Sequence, residues 1–365
     1  MQRKKLLFVS LAAYPLFNKT IEGVHGGAEL DLYTVARHLN SSKFEVHFLV
    51  GDYGQKAQEE RFGVFIHRGQ KISNSNAAAG LVNFFKLFRL VRKINPEVIF
   101  TEAAGWLTVE LIIIKIILRK KLVFRSAHEN NINGFTDSRS YGLLYRKLLP
   151  NINHIILQNE QDIEILKSKF KYIKNVSVIR NLQNIPPNEP LSLEKRLHHL
   201  WVGRSEKIKD PQAFIDLVKE LPDNQFVMIM PKTNTDVFNN IKEQAQNLSN
   251  LRFIPGVKWG EIMPYFIQAK YLINTSIGEG FPNVILEAMK HGTPIISTRL
   301  DFDSIITKQN CGIIGGTDIK NLAKKIISIE NSQWRKYSNN CYKFSKNNFD
   351  IIKGIHEYEQ LFLQV

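Results

Sequence analysis

The stretch Tyr271–Thr298, YLINTSIGEGFPNVILEAMKHGTPIIST, narrows the folds open to this chain more than any other. It reads as strand, glycine turn, helix, turn, strand. Tyr271 to Asn274 is apolar and β-prone. Gly278 and Gly280 allow backbone geometries closed to other residues. Pro282 suits the first turn of a helix, where its missing N–H costs nothing. The pattern predicts a helix from Asn283 to His291, stopped at Gly292-Thr293-Pro294, then a strand from Pro294 to Ser297. A unit of this kind turns backbone N–H groups and a positive helix end toward its loop, which suits phosphate. Two carboxylates frame the loop. Glu279 sits in the turn, and Glu287 shares a helix face with Asn283, four residues before it. Carboxylates repel phosphate, but an ionised carboxylate accepts two hydrogen bonds from a sugar diol. A phosphate cradle with two diol acceptors fits a nucleotide sugar. An ordinary βαβ unit with surface glutamates fits the same letters.

The chain has 365 residues, which is long for one domain and predicts two. Hydrophobic residues make up 44%, enough for two cores. Two cysteines, Cys311 and Cys341, form no disulfide framework, which fits a reducing compartment. The formal net charge of +15 favours anionic partners: nucleic acid, acidic lipid or a phosphorylated substrate. Compositional drift toward Lys, Asn and Ile explains the same number. The start, MQRKKLLFVSLAAYPLF, imitates a secretion signal. Its apolar core, Leu6 to Leu11, is short and reads better as a first buried strand. Charges interrupt Trp106 to Phe124, so it falls short of the ~20 apolar residues a membrane span needs.

Strands and helices alternate along the first half. Strands are expected at Leu6–Leu11, Phe44–Val50, Gly63–His67, Glu97–Thr101, Lys121–Arg125, His154–Gln158 and Val176–Arg180. Helices are expected at Glu29–Leu39, Ala77–Ile94 and Trp106–Arg119, with His25 to Ala28 as a loop. Asn181 to Pro190 is polar and holds three prolines, so it reads as an interdomain linker. A second alternating series follows, and the last helix runs from Ile351 to Val365. The organisation read is α/β, with two Rossmann-like, doubly wound parallel-sheet domains facing a cleft. The boundaries read from the sequence are 1–185, 196–348 and a C-terminal helix, 349–365.

Three motifs stand in order: His25-Gly26-Gly27-Ala28-Glu29, Val202-Gly203-Arg204 with Lys209 five residues on, and EGFPNVILEAM with Glu279 and Glu287 at its E-x7-E positions. Together they resemble the retaining glycosyltransferases of family 4, of the bacterial surface-polysaccharide type, over most of the chain. The resemblance implies a GT-B fold, with an N-terminal acceptor-side domain and a C-terminal domain that binds the nucleotide sugar. The C-terminal helix is expected to cross back to the first domain. In GRSEKIKDP, Arg204 and Lys209 are expected to hold a diphosphate, a planar fork beside a point charge. They would stabilise the charge that grows on the leaving group. A solvated basic turn is the plain alternative. Asp210 stands where the family commonly has glycine. Gly26 and Gly27 let a ligand approach their backbone. His128, in SAHEN, lines the donor sugar by resemblance; a loop histidine beside Glu129 is the alternative. Gly203, Gly280, Phe281, Pro282, Asn283 and Glu287 complete the expected donor site. Glu287 is assigned to the ribose and Glu279 to the sugar side.

The expected activity is transfer of a sugar, with retention and without a metal, from a UDP- or GDP-type donor to a glycan or lipid-linked acceptor. The donor is substrate, and no cofactor is expected. Asp301-Phe302-Asp303 has the letters of a metal-binding DxD but follows a different strand. Leu81 to Lys93, LVNFFKLFRLVRK, reads either as a helix lying on anionic lipid or as a core helix with a basic rim. The expected location is cytoplasmic, peripheral on the inner membrane face. Rival readings are an epimerase or phosphorylase on the same fold, and a basic nucleic-acid-binding protein. The last lacks any recognition-helix or zinc-finger pattern, so no nucleic acid is expected.

Overall fold

A computed structural model describes residues 3–21, 26–71, 77–102, 104–257, 261–279 and 282–365. The chain divides into two compact units, Met1–Leu182 with Ile352–Val365, and Gln183–Ile351.

The first unit holds β1 (Lys4–Val9), β2 (Phe44–Val50), β3 (Gln58–Arg61), β4 (Val64–Arg68), β5 (Val98–Glu102), β6 (Lys121–Arg125), β7 (His154–Leu157) and β8 (Val176–Val178). They make one eight-stranded sheet in the order β3-β4-β2-β1-β5-β6-β7-β8. Every pair is parallel except the β3–β4 hairpin. The central strands are continuous apolar runs because helices cover both faces. In register, Phe8 of β1 stands beside Phe48 of β2 and Phe100 of β5. Strand β3, QEER, is absent from the sequence reading. It is a charged edge strand, and charge at an edge blunts pairing with other chains while hiding the strand from a hydrophobic pattern.

One other difference bears on function. The helix predicted to begin at Glu29 begins at Gly27, so the glycine pair is a helix N-terminus rather than a free loop. Glu29 reaches back to accept the Gly26 N–H at 2.7 Å, a side-chain cap that lets the helix start early. The last helix, Ile351–Gln364, belongs to the first unit from Ile352 onward. Its Phe362 ring packs on Phe8, Phe44 and Phe100, and Glu359 pairs with Lys43 at 2.7 Å.

The second unit holds β9 (His198–Val202), β10 (Phe226–Ile229), β11 (Leu251–Ile254), β12 (Ala269–Asn274), β13 (Ile295–Ser297) and β14 (Gly312–Ile314). Its sheet is wholly parallel, in the order β11-β10-β9-β12-β13-β14. Counted from β9, this is the doubly wound order 3-2-1-4-5-6, whose winding reverses between β9 and β12. Ligands of such sheets bind at the carboxyl ends of those two strands. Asn181 to Pro190, read as the interdomain linker, contains the boundary between the units, and from Gln183 onward it is tied into this unit. Gln183 exchanges backbone hydrogen bonds with Phe349 and Ile351, and Tyr342 Oη donates to the Pro186 carbonyl at 2.8 Å. Polar, proline-rich composition marked a segment without repeating structure, which is not the same as a segment without contacts.

Candidate active site

The loops after β9 and β12 meet where the winding reverses. Lys209 follows β9, Glu279 follows β12, and the two side chains form an ion pair. Both are sheltered, at 16% and 11% exposure. Ser276 Oγ donates to the same Glu279 oxygen at 2.7 Å. From the sequence, Lys209 reads as holding the diphosphate and Glu279 as accepting hydrogen bonds on the sugar side; the structure joins the two directly.

A second layer fixes both loops. Thr275 Oγ1 donates to the Lys209 carbonyl at 2.8 Å, and Ile277 N–H donates to the Ile208 carbonyl at 2.8 Å. Trp201 Nε1–H donates to Thr275 Oγ1 at 2.9 Å. Arg299, just past β13, donates to the Thr275 carbonyl and lies 2.9 Å from Asp210 Oδ2. Thr275, Ser276, Trp201 and Arg299 escaped the sequence reading. The signal available was position, since Trp201 is next to last in β9 and Thr275 and Ser276 directly follow β12, the two strands that flank the reversal point.

Gly203 acquires a packing reason. A Cβ there would lie 2.8 Å from the Trp201 indole, so a larger residue would displace the ring that holds Thr275. Asp210 has φ +46° and ψ +56°, a left-handed conformation that explains why glycine suits this position. Aspartate is among the few other residues that enter this region readily. Its carboxylate also caps the helix Pro211–Glu220 at the Ala213 N–H, 3.4 Å away.

Arg204 is not part of this network. Its side chain is 59% exposed and lies 3.2 Å from Glu206. The helix predicted from Asn283 to His291 runs Asn283–Lys290, with Pro282 as the residue before its first turn. Pro282 has extended geometry, so it caps the helix rather than starting it. Glu287 lies 2.6 Å from Lys290, one turn on, and Lys290 is buried and donates to Gln183 Oε1 at 3.1 Å. One Glu287 oxygen is thereby oriented, while the side chain as a whole stays partly exposed. Gly280 and Phe281, and His25 of the first motif, lie outside the described residues. The Asp301-Phe302-Asp303 letters have a structural use. Asp301 accepts from the Ile306 and Thr307 N–H groups at 2.8 and 3.1 Å, as a helix cap does. Among the described residues, no group of three or more His, Cys, Asp or Glu is placed to hold a metal ion.

In the first unit, Gly26 and Gly27 open the helix Gly27–His38, and His128 follows β6. His128 Nδ1 accepts the Asn130 N–H at 3.0 Å. A neutral ring in that arrangement carries its proton on Nε2, which makes the free edge a donor. Behind these loops lies a buried charge cluster. Arg125 Nη1 donates to Asp31 at 3.0 Å and to Glu102 at 2.5 Å, and Arg125 Nη2 donates to Asn181. Tyr358 of the last helix lies against the guanidinium. Burial pushes both carboxyls up from the ordinary range, against the pull of Arg125.

The family model for Glycosyltransferase Family 4 matches residues 25–182, and that for Glycosyl transferases group 1 matches residues 186–348. The chain belongs to the family 4 glycosyltransferases of the GT-B fold. A Klebsiella pneumoniae protein described as an uncharacterized 41.2 kDa protein in the cps region is 24% identical over 55% of this chain and 57% of its own length. An Escherichia coli enzyme named UDP-Gal:alpha-D-GlcNAc-diphosphoundecaprenol alpha-1,3-galactosyltransferase is 24% identical over 58% of this chain and 60% of its own. The chain thus matches about three fifths of the length of these curated relatives. The structure of Anabaena HepE in complex with UDP and glucose superposes over 100% of both chains with a TM-score of 0.76 at 14% identity, a likeness of fold.

Proposed function

We propose that this chain transfers a sugar from a UDP- or GDP-type nucleotide sugar, with retention and without a bound metal, to a glycan acceptor carried on a lipid diphosphate. The observation that carries the proposal is the Lys209–Glu279 pair at the reversal point of the second sheet, beside the helix that bears Glu287. The family membership supports it, and so does the acceptor in the name of the Escherichia coli relative. The setting that fits is cell-surface polysaccharide assembly at the cytoplasmic membrane face. Among the described residues, no helix is long and apolar enough to cross a membrane.

In this mechanism the bond from the anomeric carbon to the donor phosphate breaks, and its electron pair leaves with the nucleotide diphosphate. The acceptor oxygen bonds to the same face of that carbon, and its proton passes to the departing phosphate. The transition state is oxocarbenium-like, as in glycoside hydrolysis. The Lys209 ammonium meets the charge that develops on the leaving group, and Arg204 supplies a second, more mobile cation. Glu287 binds the ribose diol. Glu279 orients Lys209 and meets the sugar side. His128 donates from Nε2 to a sugar hydroxyl. Gly26, Gly27 and the Asn283 helix end present backbone to the donor. The first unit is the acceptor side and the second the nucleotide side.

The test is incubation of the pure protein with UDP-, GDP- and ADP-sugars, with and without a chelator. One donor is expected to be hydrolysed slowly whether or not chelator is present, and proton NMR should show that the released sugar keeps the donor's anomeric configuration. Inversion at that carbon, or no turnover with any donor, would sink the proposal.

A further inference from the structure

The first unit contains a cavity of about 350 Å³ outside the residues assigned above. Leu11, just past β1, and Leu107, at the start of the helix Trp106–Ile117 that follows β5, line one side of it. β1 lies between β2 and β5 in the sheet, so this is where the first sheet's winding reverses. A doubly wound sheet binds its ligands at that place. The other wall is the helix Ala77–Ile94.

That wall has two chemical characters. Leu87 and Leu90, with Leu49 of β2, give an apolar floor. Lys86, Arg89 and Lys93 recur at spacings of three and four along the same helix, and Arg68 adds a fourth cation from the end of β4. Among the described residues, no carboxylate lines the cavity. Among the described residues, the side chains of Lys86, Arg89 and Lys93 have no ion-pair or hydrogen-bond partner, and the Arg68 side chain donates only to the Gln55 carbonyl, at 2.8 Å. Like charges held this close repel one another, and an anion relieves the repulsion. A bare anion would leave the leucine floor wet, and a neutral hydrocarbon would leave the cations unmatched. Toward the start of the same helix, Leu81, Val82 and Phe85 stand 52–61% exposed.

We propose that this cavity binds the prenyl diphosphate portion of the acceptor, with Lys86, Arg89, Lys93 and Arg68 on the diphosphate and the leucines against the first isoprene units. The proposal rests on the lipid-diphosphate acceptor argued above and gives that acceptor a place. Arginine suits the non-bridging phosphate oxygens as a fork, and lysine adds a point charge.

The test is calorimetry with farnesyl diphosphate, compared with inorganic diphosphate and with farnesol. Farnesyl diphosphate should bind at least about tenfold more tightly than either half, and Lys86→Glu with Arg89→Glu should weaken it by about tenfold or more. Both side chains are exposed, so the double variant should fold, and unchanged affinity for the free nucleotide checks that it does. Inorganic diphosphate binding as tightly as farnesyl diphosphate would overturn the proposal, as would indifference to the charge reversals. Binding to phosphatidylglycerol vesicles that farnesyl diphosphate cannot displace would overturn it in favour of a general membrane surface. Donor hydrolysis by the wild-type protein is read separately. If it persists while farnesyl diphosphate fails to bind, this inference falls and the donor site stands; if it fails while the lipid binds, the donor mechanism falls instead.

Discussion

Lys209 and Glu279 are 70 residues apart, and each neutralises the other in a sheltered corner. The sequence names both residues through its motifs. It cannot show that they touch, because contact depends on which strands lie side by side. The pairing has a kinetic consequence. Lys209→Ala should lower turnover by roughly 10²–10³, the scale for one preorganised electrostatic contact. Glu279→Ala frees the lysine to wander, so the double variant should lose much less than the product of the two losses. A coupling of about 1–3 kcal/mol is expected for residues in direct contact. Single-turnover rates of donor hydrolysis in the four proteins measure it, and strictly additive losses would mean that the two act apart. Glu287 has a different task. Glu287→Ala should weaken binding of the free nucleotide by roughly 1.5–3 kcal/mol for a lost charge-assisted bond. Glu279→Ala should leave that affinity nearly unchanged, since the free nucleotide lacks the sugar. Calorimetry with the nucleotide separates the two, and a loss confined to Glu279→Ala would reverse their roles.

At the level of elements, the alternation of strands and helices was legible because buried parallel strands are plain apolar runs. What stayed hidden was hidden for physical reasons. β3 is a polar edge, the glycine pair starts a helix only because Glu29 caps it, and residues 183–190 are held by bonds to a helix far along the chain. Gly203 entered the reading as a ligand contact, and the structure shows its hydrogen atom making room for Trp201. Asp210 is the clearest departure from the family's letters, and its geometry states what it must do. It holds a left-handed backbone, caps a helix and pairs with Arg299. Glycine in its place keeps the backbone and loses the cap, which costs a few tenths of a kcal/mol for glycine against roughly 0.5–2 for alanine. Alanine also bears about 1–2 kcal/mol of left-handed strain. Thermal melts should therefore rank wild type above Asp210→Gly and that above Asp210→Ala. An alanine variant as stable as the glycine one would remove the conformational argument.

Across the whole molecule, the two units respond differently to pH. Each buries a neutral histidine, His67 in the first and His199 in the second, and burial lowers both to about 4. A lowered histidine contributes stability above its ordinary pKa and loses it as pH falls toward the lowered value, so both units weaken together in acid. The first unit alone has the Asp31–Arg125–Glu102 cluster, where two buried carboxyls share one guanidinium nitrogen. Burial raises both carboxyls, so the folded unit keeps a proton that the unfolded chain has already released. The sign is opposite to that of the histidines. This contribution is complete below the ordinary carboxylate pKa and is lost as pH rises through the raised values. Hydrogen exchange resolves the units without requiring them to unfold as one. Between pH 5.5 and 8.5, after correction for intrinsic exchange, opening of the β5 and β6 amides should become easier relative to Glu102→Gln, while β9 and β12 should show no such difference. The variant keeps the side chain's shape and an oxygen for Arg125 but has no proton to give up. The histidine contributions cancel in the comparison because both proteins carry them. A wild type that parallels Glu102→Gln across that range would mean that Glu102 ionises as an ordinary carboxylate, and that Arg125 holds it charged in the core.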